Sequence, residues 1–347
     1  SAALIPENDT RDNLIFLMSD RQGKPFTAWP EEPAGDGSGG SYGYGTVCVS
    51  DGSGVVGFQS ALAADASIPA DEKKALSEAR MALSCDGNTA APAVTAQSEA
   101  GKAFAAYLAA SDYFYRNSHF NSTAFDALVT SSQPWVKEAA RYMQARIALL
   151  QVQATAFDEW GSIDRRFINP DLVSKARESL NAYLKDYPNG AYAASAKGLL
   201  RRADWFGGDA KTLAVTYSRL VATSELNNTS IMLAHEVDQK LPGEAYTDAA
   251  SDPILLAVQL LREMREESTG ADTTAYVMKA ERLEQYRARF AGQEALFDYL
   301  LALRAFLVDK DADTVLRLLA DEPPEGPETY LTFSQQMLRG AALDAKG

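Results

Sequence analysis

From residue 57 onward the apolar positions fall at helical spacing. The run that opens at Pro134 shows it best: Trp135, Ala139, Met143, Ile147, Leu150, Ala154 and Phe157 step by fours and threes, which predicts one apolar stripe along a helix. Start signals stand where helices should begin. Asn169-Pro170-Asp171 and Asp252-Pro253 each place a capping side chain before a proline suited to the first helical turn. Gly161, Gly207, Gly208, Gly270 and Gly292 stand where helices should stop. Residues 9–20 open with capping side chains, continue into an apolar run and close near Gly23. Their pattern fits either a short helix or a buried strand. Between residues 34 and 57 the periodicity breaks. The glycines there cost too much backbone entropy for a helix, so a long loop is expected, with a brief extended piece at 46–49. Apart from the first ninety residues, no convincing alternating strand pattern is found.

The helical pattern also repeats. Residues 124–142 read as a helix, a turn around Pro134 and a second helix with small residues, and residues 176–196 follow the same grammar around Pro188. A weaker copy runs from Asp313 through a Pro-rich turn to Tyr330 and on past Gly340. One such pair cannot cover its own apolar face, so pairs must stack. The stretch Tyr183-Leu-Lys-Asp-Tyr187-Pro188-Asn-Gly190-Ala-Tyr192-Ala resembles the tetratricopeptide-like repeats of bacterial cell-envelope proteins. It is similar in particular to those of outer-membrane assembly lipoproteins and Tol–Pal coordinator proteins. The resemblance covers about half of the chain and specifies a fold rather than a ligand. It departs from the regular pattern in that Pro134 and Pro188 stand further apart than one 34-residue repeat. The expected fold is all-α. Residues 1–96 form an irregular N-terminal cap carrying the Gly-rich loop (34–57), and residues 97–347 an α-solenoid of stacked TPR-like pairs. The helical ending near Arg339 suggests that the array continues in a longer protein.

Charge and composition narrow the role. Lys and Arg number 33 against 47 Asp and Glu, a formal charge of −14, which opposes general nucleic-acid binding because that needs clustered cations. No apolar run reaches the roughly 18–20 residues of a membrane span; the longest candidate, 252–262, runs into charges. Two His and two Cys leave little material for zinc or His-based catalysis. Cys48 and Cys85 flank a short stretch and fit two readings, a disulfide of an oxidising compartment or a pair of buried thiols.

The chemical motifs are thin. Gly52-Ser-Gly54-Val-Val-Gly57 matches a dinucleotide fingerprint in form but lacks a parallel sheet around it. Gly39-Gly-Ser41-Tyr-Gly43 spells a nucleophile elbow within loop sequence. His235-Glu236 begins a zinc-protease pattern that Gln239 ends, and His119 reads as a turn residue. Asp36 and Asp51 open Asp-Gly-Ser-Gly tetrads without the acids of a calcium loop. Glu178-Ser179 and Glu267-Ser268 echo a lytic transglycosylase dipeptide with no catalytic domain to hold either. The mixed-charge runs 71–74, 262–267 and 281–287 read as solvated helix faces with i,i+4 pairs. Arg201-Arg202 beside Trp205-Phe206 joins cations to aromatics, the chemistry of an interface hot spot, and reads either as a partner anchor or as a packing site at a repeat edge. No catalytic residue, metal or cofactor is expected. The resemblance implies a non-enzymatic scaffold or adaptor of the bacterial envelope, periplasmic or outer-membrane associated, holding a protein or peptide partner. A glycan- or peptidoglycan-binding module is the second reading, and a cell-wall hydrolase the third.

Overall fold

The computed structural model describes residues 2–24, 51–83, 90–116, 120–157, 163–226, 233–234, 236–237, 240–241, 243–265, 278–322 and 325–347. Among these residues the chain is helical, with no strand and an isolated antiparallel bridge between Phe157 and Ile163. The helices run α1 (Thr10–Arg21), α2 (Asp51–Ala64), α3 (Ala70–Ala82), α4 (Glu99–Arg116), α5 (Pro134–Ala156), α6 (Pro170–Asp186), α7 (Ala193–Phe206) and α8 (Ala210–Thr223). They continue with α9 (Glu244–Ala249), α10 (Pro253–Met264), α11 (Ala280–Glu284), α12 (Glu294–Arg304), α13 (Ala312–Leu318) and α14 (Tyr330–Lys346). Both proline-led starts are capped as their sequences predict. Asn169 Oδ1 accepts from the N–H groups of Asp171 and Leu172, and Asp252 Oδ1 from those of Ile254 and Leu255. Helix α12 passes into a π-turn (Ala305–Asp309) that Lys310 closes at φ +57°.

The chain divides into two compact units. One is Ser38–Gly208; the other joins Ser1–Gly37 to Asp209–Gly347. This contact division does not follow the boundary read at 96/97, and the first helix groups with Asp209–Gly347. The reason lies in α1 itself. Leu14, Ile15, Phe16, Leu17 and Met18 are buried in succession, so the helix needs neighbours on nearly every side. α10 and α14 supply them. Phe16 stacks on Tyr330 with ring centroids 4.4 Å apart, and the Leu4 N–H donates to Ser334 Oγ at 2.8 Å. The Asp20 carboxylate accepts from the N–H groups of Tyr330 and Leu331, both at 2.8 Å, at the start of α14. Arg21 pairs with Asp252 at 3.1 Å. The element at 9–20 is therefore a helix, and it belongs with the C-terminal half of the chain.

In the unit Ser38–Gly208, each helix from α2 to α7 packs on the next in sequence, and α5, α6 and α7 pack mutually. Helix α5 is buried on more than its predicted stripe: Val136, Ala140, Tyr142, Ala145, Leu149 and Val152 join Ala139, Met143, Ile147 and Leu150 in the core, while Ala154 is exposed. Two expectations are corrected. Of the Gly-rich loop, residues 34–50 lie outside the described residues, but 51–57 form the first turns of α2. Packing overrides the weak helix propensity of glycine there, because Phe58 and Leu62 need a helical face to reach the core beside Phe104. The first member of the predicted 124–142 pair is not a helix. It is two 3-10 turns, Thr123–Phe125 and Leu128–Thr130, which bury Phe125 and Leu128.

Candidate functional site

The helical hairpin α6–α7 is held by its own tyrosines. The Tyr183 hydroxyl donates to Glu138 Oε1 at 2.8 Å and accepts from the Tyr192 N–H at 3.1 Å, so one side chain ties the turn to α5. Tyr142 stacks on Tyr192 with ring centroids 4.6 Å apart, and its hydroxyl meets Ser195 Oγ at 2.6 Å. Burial, reinforced by Glu138, pushes the Tyr183 phenol up, and burial does the same at Tyr192. Tyr107, under the same aromatic cluster, is pushed up to about 12 by burial. These phenols stay neutral at ordinary pH, and that of Tyr183 acts as a hydrogen-bonding strut.

Arg201, Arg202, Trp205 and Phe206 lie on the last turns of α7, where Trp205 and Phe206 join the packing. Phe206 is 2% exposed, lies edge-on to Phe157 at 5.8 Å and has the Arg202 guanidinium 5.8 Å above its ring. Trp205 is half-buried between Phe157 and Phe206. Arg165 donates to the carbonyls of Trp205 and Phe206, and Arg177 pairs with Asp204 at 2.8 Å, which closes the helix end. This geometry favours the repeat-edge packing reading for Phe206.

Several other sequence candidates fall elsewhere. Cys48, Cys85, Asp36, Ser41, His119, His235, Gln239, Glu267 and Ser268 lie outside the described residues. The glycines of the dinucleotide-like fingerprint sit inside α2, so that segment is no phosphate-cradling loop. Glu178 and Ser179 face a small cleft of about 280 Å³ shared with Arg141, Gln144, Tyr183 and Asp186. Glu236 accepts from the Tyr217 hydroxyl at 2.6 Å and pairs with Lys240. Among the described residues no group of three or more His, Cys, Asp or Glu side chains could hold a metal ion, and no helix is long and apolar enough to cross a membrane.

A further concavity is one that no sequence pattern pointed to. In the unit containing Asp209–Gly347, an open groove of about 660 Å³ runs between α8 and α9. Lys211 and Val215 line it from α8, one turn apart; Ala245, Asp248 and Ala249 line it from α9. Ala250, Ser251 and Arg289 complete its lining. Val215 is 48% exposed, a branched apolar side chain on the groove wall. Behind the rim stands a charge network. Arg282 pairs with Asp248 at 2.6 Å and with Glu263 at 3.2 Å. The buried Tyr286 ring lies between the Arg282 and Arg289 guanidinium groups, at 4.9 and 5.3 Å, and its hydroxyl donates to Asp248. That bond, together with Arg282, holds the Asp248 carboxyl below the usual carboxylate range against the opposing effect of burial. Burial, aided by Asp248, pushes the Tyr286 phenol up. Arg289 donates to the carbonyls of Asp248 and Ala250, which fixes the loop after α9.

The run 281–287 is thus only partly the solvated face it resembled. Arg287 does pair locally with Glu284 at 2.8 Å, but Arg282 reaches across to α9 and α10. No local signal marks the groove, because its residues come from three separated parts of the sequence.

Comparison of the chain with known protein families, with curated protein sequences and with solved structures finds no match in any of the three.

Proposed function

We propose that this protein is a non-enzymatic interaction scaffold, built of tetratricopeptide-like helical pairs and holding a protein or peptide segment in the α8–α9 groove. One observation carries the reading: the groove is open to solvent, and the small or branched apolar side chains of Val215, Ala245 and Ala249 line it together with the charged Lys211, Asp248 and Arg289. An extended or helical segment can lie in such a trough, with apolar anchors inside and polar contacts outside. The resemblance of the α6–α7 hairpin to envelope repeats supports a periplasmic or outer-membrane-associated address as part of the same proposal.

The test is photo-crosslinking in cells from a reactive residue placed at position 215, with the same residue at exposed Phe167 as the control. A discrete protein adduct from 215 and not from 167 is expected. Recovery of the chain with purified peptidoglycan, with no protein adduct, would move the assignment to glycan binding.

A further inference from the structure

We infer that the segment bound in the α8–α9 groove is acidic as well as apolar: one or two apolar side chains flanked by carboxylates. The inference rests on the scaffold reading and adds the chemistry of the partner. Two of the three charged groove residues are cations, Lys211 and Arg289. The third, Asp248, is partly exposed on the groove wall, but its charge is paired within the protein: its carboxylate is held by the Arg282 guanidinium at 2.6 Å and by the Tyr286 hydroxyl. Arg282 is itself half-buried between Asp248 and Glu263 and is kept firmly protonated by those two partners despite its burial.

What a ligand meets is therefore an apolar wall with two cations beside it, Lys211 and Arg289, and a carboxylate that is already paired. Among the described residues Lys211 has no carboxylate partner. Arg289 uses Nη1 on two backbone carbonyls and stacks on Tyr286, which leaves Nη2 and Nε as directed donors with no ion pair drawing on them. This stands out on a chain whose formal charge is −14, where an acidic segment meets repulsion over most of the surface. Complementary charge at the rim fixes orientation and rejects wrong partners, while the buried apolar contact supplies the affinity. A basic segment would be drawn toward the molecule as a whole and turned away at this trough.

The experiment is selection of random seven-residue peptides displayed on phage against the full chain, followed by fluorescence anisotropy of the selected peptides on the full chain and on Lys211→Glu and Val215→Asp variants. Both substitutions lie on the exposed face of α8, and circular dichroism melting confirms that each variant is folded. The expected result is a consensus of Leu-, Ile- or Phe-type residues flanked by Asp or Glu. Affinity should fall at least tenfold in Val215→Asp and about as much in Lys211→Glu, and weaken as salt rises.

A consensus rich in Lys and Arg, no enrichment at all, or affinity unchanged by both substitutions would overturn the inference. So would saturable binding of inorganic phosphate or of phosphatidylglycerol vesicles at Lys211 in place of peptide. Self-association of the chain that Val215→Asp abolishes would overturn it in favour of a second copy as occupant. A protein adduct in the crosslinking experiment whose contacting segment is neutral or basic would leave the scaffold reading standing and remove this one.

Discussion

Phe206 shows how one residue type can be read two ways. Beside two arginines and a tryptophan it looks like an anchor for a partner, yet it is 2% exposed and packed on Phe157. Phe206→Ala should therefore cost about 3–5 kcal/mol of stability by urea titration, through lost burial and a residual cavity. A loss below about 1 kcal/mol would return Phe206 to the surface candidates. Asp248 gives a second prediction. Its pKa is lowered in the folded chain, so its contribution to stability is present above the ordinary carboxylate range and is lost as pH falls through the folded value. Asp248→Asn should lower stability at pH 7 and flatten the decline below about pH 4. Its exposure limits the effect to less than about 1 kcal/mol. A pH–stability profile of the variant that parallels the original would rule out this role. The caps at Asn169 and Asp252 were legible in the sequence because donor and acceptor lie within three residues of each other. The meeting of Asp248 with Arg282 and Tyr286 was not, since those two bonds span 34 and 38 residues and nothing local announces them.

At the level of elements, two glycines make opposite predictions. A Cβ on Gly190 would sit 2.3 Å from Glu138 Oε1 and 2.8 Å from Tyr187 Cβ, so the α6–α7 turn can approach α5 closely only with glycine there. Gly340, inside α14, would meet nothing within 4 Å. Gly190→Ala should destabilise by about 1–3 kcal/mol through overpacking. Gly340→Ala should stabilise by up to about 1 kcal/mol through helix propensity alone. Thermal melts of the two variants check both signs; a shift in the same direction would refute the close approach at Gly190. Periodicity and proline-led starts located α5, α6, α7 and α10 well, because those signals are repeated along many residues. They misjudged α2, where three glycines mask a helix whose existence depends on the core beneath Phe58. They also turned two 3-10 turns before Pro134 into a helix, since three-residue turns bury their apolar side chains without setting up a period.

For the whole molecule, the consequential feature is the division into Ser38–Gly208 and a unit assembled from both ends of the chain. Residues 38–208 produced alone should be helical and melt cooperatively. Residues 209–347 alone should not, because α10 and α14 would lose the helix that covers them, and adding a peptide of residues 1–24 should restore the transition. Circular dichroism of the three samples decides it; a cooperative melt of 209–347 without the peptide would show that α1 is dispensable. Sequence patterns cannot reveal such a pairing, since the Asp20 contact with Leu331 spans 311 positions. The clasp between α1 and α14 also sets a schedule for birth on the ribosome. At ~5–20 residues per second, α1 emerges roughly 15–60 s before its partner is made. For that interval Leu14, Phe16, Leu17 and Met18 form a sticky nascent stretch, so a chaperone that holds the first twenty residues should raise the yield of native chain far more than one that acts after release.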